Sequence, residues 1–445
     1  MEGFSGISQK LLLDHTLSPC SKCFNIVPAR IVEVDGKIFL EKECCEKECV
    51  LIENDANYYK RAVLPFTFER DFLAIGQHRY GRRMYNGLSK ESVVIMLNVT
   101  SRCNLSCPIC CAELNPFYFP RRDLPFEKIS NVLKTSKSRL IIISGGEPTV
   151  REDLPDIIKA VVGFGNTPEL YTNGLKLVDK EYVKKLKEAG LQIVCLSFDG
   201  FDDFTYEVFR GEKLLSEKLK ALKNLKEEDM TVWLIPVIGR GLNESQIKAI
   251  TKFACINSDF IRGIRFSTLY PIDESKADER ITSSDIIKML EISIGISTDD
   301  FVESKRFFYN VYKIAGMFSK RLQSRFSYLV QDNVYMKVEG GDCRPLFSTD
   351  YLRKLNDTLE DAASEKNRIG ALKVLIKNSV GLLNTELLKF GLTAATKFFN
   401  LPKASKYSRK DILLIKVGDI QKATVEDLKR KFFGEAGGVF LEPKE

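Results

Sequence analysis

Three cysteines carry the clearest chemistry in this chain. Cys103, Cys107 and Cys110 lie in Ser-Arg-Cys-Asn-Leu-Ser-Cys-Pro-Ile-Cys-Cys (101–111), directly after the strand-like run VVIMLNV (93–99). Thiolates spaced Cys-x3-Cys-x2-Cys can wrap one face of a [4Fe–4S] cube and ligate three of its irons. The fourth iron then has no protein ligand and stays open to a substrate or cofactor, as in an open catalytic metal site. A second constellation, Cys20-x2-Cys23 and Cys44-x4-Cys49 with Cys45 to spare, brackets the stretch ARIVEVDGKIFLEKE. Asp35-Gly36 inside that stretch separates two alternating apolar runs and reads as a hairpin turn. A Cys-x2-Cys knuckle, a hairpin and a second thiol pair suit a tetrahedral four-sulfur site, for zinc or a rubredoxin-like single iron.

Composition narrows the remaining chemistry. The chain has 445 residues, 44% apolar and 29% charged, with a formal charge of +7. That is ordinary for a globular protein of about three structural units. No apolar run approaches the ~18 residues of a spanning helix. There are 2 histidines, His15 and His78, neither in a ligand-spaced motif. A His-rich zinc enzyme is excluded and a Ser-His-Asp hydrolase is disfavoured. The 12 cysteines are clustered, and the first residues have no basic start, apolar run and cleavage site. The expectation is a cytoplasmic chain that uses cysteine for metal rather than disulfides. The mild positive charge permits an anionic partner without demanding one, and no nucleic-acid module is recognisable, so no nucleic-acid partner is expected.

The elements that must position these thiols fall into four stretches. Residues 1–55 read as the Cys-rich module and 56–91 as a linker. Over 92–270, the runs VVIMLNV, LIIIS (140–144), PELYT (168–172), IVCLSF (193–198), TVWLIPV (231–237) and GIRFS (263–267) alternate with helical stretches such as 153–164, 180–190 and 243–254. Strands separated by helices imply parallel pairing, and six such units make an α/β fold, a partial (β/α)6 barrel with its chemistry at the C-terminal strand ends. Residues 271–445 read as a mainly helical substrate or lid region, with helices near 284–292 and 305–320, a long apolar and basic stretch at 371–399, a strand at 412–417 and a helix at 424–433. Cys195 and Cys255 sit on strand and helix faces and read as core.

The cysteine spacing, its place after the first strand, and four later segments together resemble the radical S-adenosylmethionine (SAM) superfamily. Ser-Gly-Gly-Glu-Pro (144–148) follows the second strand, Tyr-Thr-Asn-Gly (171–174) ends the third, Ser-Phe-Asp-Gly (197–200) ends the fourth, and Phe-Arg-Gly (209–211) comes after it. The resemblance implies that Gly145, Gly146, Glu147 and Pro148 meet the methionine amino group of SAM, with Glu147 as the polar partner. It implies Asn173 near the SAM, Ser197 and Asp199 near the ribose, and Arg210 on the SAM carboxylate, where a guanidinium fork suits a bidentate pair. The plain readings stand beside these: Asn173 and Asp199-Gly200 as turns, Arg210 as a surface arginine. The implied chemistry is reductive cleavage of SAM to a 5′-deoxyadenosyl radical that takes hydrogen from a C–H bond, with a reductant such as ferredoxin or flavodoxin.

The N-terminal module resembles one subgroup in particular, the archaeal tetraether lipid synthases and related pterin (7,8-dihydro-6-hydroxymethylpterin) methyltransferases. The matching segments are CSKCFNIVPARIVEVDGKIFLEKEC (20–44), SGGEPTVREDLPDII (144–158) and GRGLNE (239–244). Where the subgroup reads Pro-Glu-His-Gly, this chain has Cys45-Glu46-Lys47-Glu48, and Cys111 stands where an aromatic is usual. After residue 255 the chain has a single cysteine, Cys343. One thiol cannot hold an auxiliary [4Fe–4S] cube, so mechanisms needing one are not expected. Cys343 reads as a hydrogen-atom donor near the site or as a buried structural thiol. The resemblance and the 371–399 stretch, as a lid or membrane-contact helix, favour an isoprenoid or other lipid chain as substrate, with peripheral membrane contact. The alternatives are radical methylation of a pterin and, in another class, a non-catalytic iron–sulfur redox or scaffold protein.

Overall fold

The computed structural model describes residues 10–20, 26–63, 94–110, 123–135, 140–269, 280–319, 330–382, 411–418 and 437–439, and the isolated residues 65, 322, 323, 326, 386 and 387. Cys23, Cys111, most of the 56–91 stretch, residues 388–399 and the helix read at 424–433 lie outside them.

The N-terminal module is a four-stranded antiparallel sheet, β1 (Leu11–Pro19), β2 (Ile26–Val34), β3 (Lys37–Glu43) and β4 (Lys47–Glu53), paired in that order. The Asp35-Gly36 turn forms as the sequence implies: Val34 pairs with Lys37 across it. Both turn residues have positive φ, 50° and 75°, the backbone that a two-residue hairpin loop needs. Strand alternation on β3 buries Ile38 and Leu40. The chain does not pass straight into a linker. Helix α1 (Ala56–Ala62) follows, its first turn capped by Asp55, whose carboxylate accepts from Tyr58 N at 2.9 Å.

The second sheet orders as β13-β12-β14-β11-β9-β8-β7-β6-β5-β15. Its parallel centre is β5 (Val94–Thr100), β6 (Leu140–Gly145), β7 (Thr167–Thr172), β8 (Ile193–Ser197), β9 (Thr231–Ile235) and β11 (Ile261–Thr268), with a short β10 (Val237–Ile238) on β11. The crossovers carry α2 (Phe126–Thr135), α3 (Leu154–Gly163), α4 (Lys180–Glu188), α5 (Asp203–Arg210), α6 (Leu215–Glu227) and α7 (Gln246–Ile256). All six strands read from the sequence are present.

The C-terminal region is less separate than its helices suggested. It contributes α8 (Ser283–Ile294), α9 (Thr298–Phe318), α10 (Thr349–Ser364) and α11 (Arg368–Leu382). It also contributes β14 (Ile412–Gly418), which pairs parallel to β11, and β12 (Asn333–Glu339) and β13 (Asp342–Pro345), which extend the sheet antiparallel beyond it. A three-residue β15 (Gly437–Val439) adds to β5 at the other edge. The barrel sheet therefore does not end near residue 270. The N-terminal module is fastened to this body: Asn54 Nδ2 donates to Arg280 O at 2.7 Å and to Asp285 Oδ2 at 2.6 Å, and buried Glu53 accepts from Ser284 Oγ at 2.6 Å. Among the described residues no helix is long and apolar enough to cross a membrane.

Residues paired across neighbouring strands share a face, and alternate residues along a strand share it too. One face carries Ile95, Leu97, Ile141, Ile143, Leu170, Val194, Leu196, Val232, Leu234, Ile264, Phe266, Leu413 and Ile415, packed with the apolar sides of the helices in one core. Each such side chain contributes about 1.5–3 kcal/mol by leaving water, so this face holds the sheet. The inner face is thereby left to other work.

Candidate active site

The cluster loop is held from below by the Gly-Gly-Glu segment. Gly146 N donates to Thr100 O and Glu147 N to Arg102 O, both at 2.8 Å. A Cβ at Gly145 would lie 2.1 Å from Thr100 O, and one at Gly146 would lie 2.3 Å from Arg102 O. The glycines thus serve a close backbone approach, and what they approach is the strand end that leads into Cys103. Arg151 completes the brace: buried, it donates from Nη1 to Val99 O and Leu124 O at 2.7 Å each and pairs with Asp153. Cys103, Cys107 and Cys110 follow within one short loop, where Cys110 N donates to Cys107 O at 3.0 Å. Burial pushes the Cys103 and Cys107 thiols up, Arg210 opposing it at Cys107. Metal ligation here must therefore displace protons.

Glu147 is 1% exposed and joins two strand ends. Its Oε1 accepts from Thr149 N at 3.0 Å, Thr149 Oγ1 at 2.6 Å and Thr172 Oγ1 at 2.8 Å; its Oε2 accepts from Asn173 N at 2.7 Å. A carboxylate oxygen has two lone pairs, so Oε2 retains capacity for one further donor. Pro148 starts the 3-10 turn that Glu147 caps. Asn173 Nδ2 donates to Asn104 Oδ1 at 2.8 Å, which ties the end of β7 to the cluster loop. Sequence reasoning passed over Asn104.

At the end of β8, Asp199 is fully buried and takes Arg210 in bidentate fashion, Nε to Oδ2 at 2.8 Å and Nη2 to Oδ1 at 2.9 Å. Val237 N also donates to Oδ1 at 3.0 Å. Arg210 is a buried partner of Asp199 and of the Cys107 sulfur, not a surface arginine. Lys218 of α6 was also missed. It is fully buried, donates to Asn173 O at 2.5 Å and lies over the Tyr206 ring. Burial, then the Arg210 charge, push it down to about 8. Its sequence signal is slight, since α6 holds other lysines at similar spacing.

Three thiols in one loop, a carboxylate oxygen with spare capacity and two buried polar atoms with no protein partner, Ser197 Oγ and Asn98 Oδ1, fit a cluster with a polar small molecule on it. Buried polar atoms are ordinarily paired, so these two mark the inner strand ends as a place for a ligand.

The inner face continues from them. Register sets Asn98, Ser144, Tyr171, Cys195, Trp233 and Gly263 on one face. Arg265 and Lys416, paired with each other, lie on the same face one step along. Cys195 Sγ donates to Glu169 Oε1 at 2.9 Å, and Lys416 Nζ lies 5.7 Å from the centre of the Trp233 ring. A Cβ at Gly263 would fall 2.5 Å from that ring, so the indole lies against the sheet where only glycine fits. Burial pushes the Glu169 carboxyl up, with Cys195, Lys416 and Arg265 opposing. Cys195 belongs to this polar face and not to the apolar core.

In the N-terminal module, Cys20, Cys44 and Cys45 bring their sulfurs within 4.8 Å of one another. Cys44 and Cys45 occupy the tight turn after β3, whereas Cys49 lies on β4 opposite Glu41. Cys45 thus stands with Cys20 and Cys44 as a candidate ligand, beside the Cys49 that the Cys44-x4-Cys49 spacing names. Cys343 lies on β13, and its sulfur accepts a hydrogen bond from the Cys255 thiol on α7; both cysteines are free.

Residues 97–254 match the radical SAM superfamily, and residues 12–52 match the HMPTM N-terminal zinc ribbon domain. The chain carries a radical SAM domain behind a zinc ribbon, and that pairing implies a [4Fe–4S] cluster, SAM and a metal on the N-terminal cysteines. The 7,8-dihydro-6-hydroxymethylpterin dimethyltransferase of Methanocaldococcus jannaschii is 37% identical over 318 residues, 64% of this chain and 60% of that protein. The GTP 3',8-cyclase of Clostridium perfringens is 29% identical over 222 residues, 48% of this chain and 67% of that protein. The match thus spans about 60% of the length of the pterin enzyme. Among solved structures, Streptococcus suis SuiB bound to S-adenosylmethionine aligns at 14% identity and a TM-score of 0.37 over 64% of this chain and 68% of that one, a likeness too slight to argue from.

Proposed function

We propose that this chain is a radical SAM enzyme acting on a pterin-type heterocycle. The observation that carries the reading is the polar and aromatic part of the inner face, where Lys416 lies by the Trp233 ring and Cys195, paired with Trp233, bonds Glu169. A lipid chain asks for an apolar lining; a flat, hydrogen-bonding heterocycle asks for a ring to stack on and polar groups at its edges. The names of the relatives agree: a pterin and GTP both contain a fused 2-amino-4-oxopyrimidine ring.

In this reading Cys103, Cys107 and Cys110 hold the cluster, and Glu147 Oε2 receives the SAM amino group. Ser197 Oγ and Asn98 Oδ1 take the SAM or substrate polar groups that face them. The Asp199–Arg210 pair, with Lys218, fixes the polar floor beneath Cys107. SAM bound there supplies, on one-electron reduction, a 5′-deoxyadenosyl radical for hydrogen abstraction. A small acidic reductant such as a ferredoxin or flavodoxin delivers the electron. The zinc ribbon staples the N-terminal module.

An isoprenoid or lipid chain is the second reading. The exposed stripe Ile369, Leu372 and Ile376 on α11, beside Lys373 and Lys377, favours membrane contact. The polar groups about Glu169 and Lys416 favour the heterocycle over it, while Met96, Leu140 and Ile142 make the first part of the face apolar.

The test is anaerobic turnover. Protein reconstituted with iron and sulfide, given SAM and dithionite, should release 5′-deoxyadenosine faster with 7,8-dihydro-6-hydroxymethylpterin present and should label the pterin in mass spectra. A Cys103→Ala, Cys107→Ala, Cys110→Ala variant should release none. Stimulation by membrane lipid extract alone would transfer the assignment to the lipid reading. A loaded cluster that neither binds nor cleaves SAM would leave the redox or scaffold reading.

A further inference from the structure

The buried Glu169–Cys195 pair is not used by the cluster or by SAM-binding groups at the strand ends. Glu169 sits on β7 level with Ile193 and Thr231, and Trp233 is two strands away on β9 and two residues farther along, with Cys195 on the diagonal between them. At about 4.8 Å per strand and 3.3 Å per residue that is a span of roughly 12 Å, enough for a bicyclic ring. The carboxylate accepts from Cys195 at Oε1. The Tyr171 hydroxyl also reaches Cys195, so the pair is held in place from β7 and β8 together. Beyond Trp233 the face turns cationic: Lys416 lies by the indole, and Arg265 lies 3.6 Å from the position of a Cβ on Gly418. One edge of the face accepts hydrogen bonds, its middle is a flat ring and its far edge donates. The buried, unpartnered Asn98 Oδ1 opens on the same face at 6% residue exposure.

We propose that Glu169 is the substrate-recognising residue of this site, its carboxylate taking the adjacent ring N–H and 2-amino donors of a fused 2-amino-4-oxopyrimidine laid against Trp233, with Lys416 and Arg265 at the opposite, electron-rich edge. This rests on the pterin reading and adds to it the residue that reads the ring. The pairing is directional. A carboxylate accepts two parallel N–H donors in plane. A ring that presents an oxo group in place of the amine turns an acceptor toward that carboxylate, and a buried unpaired polar contact discriminates strongly.

The chain holds 1 tryptophan, Trp233, so its emission reports from this face alone. Binding of 6-hydroxymethylpterin and of 6-hydroxymethyllumazine, in which an oxo group replaces the 2-amino group, is to be measured on full-length reconstituted protein with SAM, by equilibrium dialysis and by tryptophan quenching. Wild type should bind the pterin with saturable quenching and the lumazine at least about tenfold more weakly. Glu169→Gln should weaken pterin binding at least about tenfold and narrow the difference between the two rings, with cluster absorbance and SAM affinity unchanged. Equal binding of the two rings by wild type, pterin binding without quenching, or full pterin affinity in Glu169→Gln would each overturn the role of Glu169 and leave the pterin reading standing. Should the variant fail to fold, the two-ring comparison in wild type decides alone. If dialysis finds neither ring bound, both the role and the pterin reading fall.

Discussion

The Thr172 hydroxyl donates to Glu147 Oε1 at 2.8 Å, so the ends of β6 and β7 share one buried carboxylate. The same carboxylate, through Oε2, orients Asn173 and with it Asn104 of the cluster loop. Replacing Glu147 by Gln keeps the shape and removes the charge. A charged hydrogen bond contributes roughly 1.5–3 kcal/mol, so SAM affinity should fall about 10- to 100-fold while iron content stays at the wild-type level. Calorimetric titration with SAM, beside an iron assay, checks this. Undiminished SAM affinity would reduce Glu147 to a structural brace.

Asp199 should matter to stability before it matters to chemistry. Asp199→Ala strands the Arg210 guanidinium, which is buried against Cys107. Removing one member of a buried ion pair costs about 3–5 kcal/mol. The double variant Asp199→Ala, Arg210→Met should recover much of that loss. Chemical denaturation of wild type and the two variants measures it, and a double variant no better than the single one would contradict it.

Lys218 predicts a pH dependence whose sign is fixed. Burial and Arg210 lower it from 10.5 to about 8. Between those values the unfolded chain binds the extra proton and the folded chain does not, so stability rises with pH across that window. Lys218→Met should lose this rise. Denaturation midpoints for cluster-free wild type and variant, taken anaerobically at both ends of the window, make the comparison. Parallel slopes would show that Lys218 keeps its ordinary affinity for protons.

The N-terminal metal distinguishes neighbouring cysteines. Cys45→Ser should lose bound zinc, as should Cys20→Ser, because those sulfurs lie together with Cys44. Cys49→Ser should retain it. Metal analysis of the purified variants suffices, and zinc lost from Cys49→Ser but kept by Cys45→Ser would restore the spacing-based assignment.

The parts of this molecule visible in the sequence were those set by short-range pattern. Apolar alternation marked all six parallel strands, and Asp35-Gly36 marked its turn, because neighbouring residues decide both. The cluster cysteines were visible because a single loop must bring them together. Lys218 was not: α6 also carries Lys220, Lys223 and Lys226, and only packing turns Lys218 inward. Glu169 was hidden in the strand pattern PELYT. Its partners come from β8, β11 and β14, and no local rule connects residue 169 to residue 416. Cys45 was legible only as a spare that could stand in for Cys49, and the turn after β3 brings it beside Cys20 and Cys44. The β12–β13 hairpin around Gly340 and Gly341 was absorbed into a region read as helical, its two strands being short.

The insertion of β14 between β11 and β12 bears on how the molecule is made. During synthesis the cysteine loop and the strand ends around Glu147 and Asn173 emerge first, and α8 to α11 must all follow before Lys416 can take its place beside Trp233. Long-range pairing of this kind closes late because the loop entropy must be met before the contacts form. A nascent chain therefore has Cys103 to Cys110, Glu169 and Trp233 well ahead of Lys416, the cation beside the indole. Lys416 can join this face only once the chain has been made and folded as far as β14.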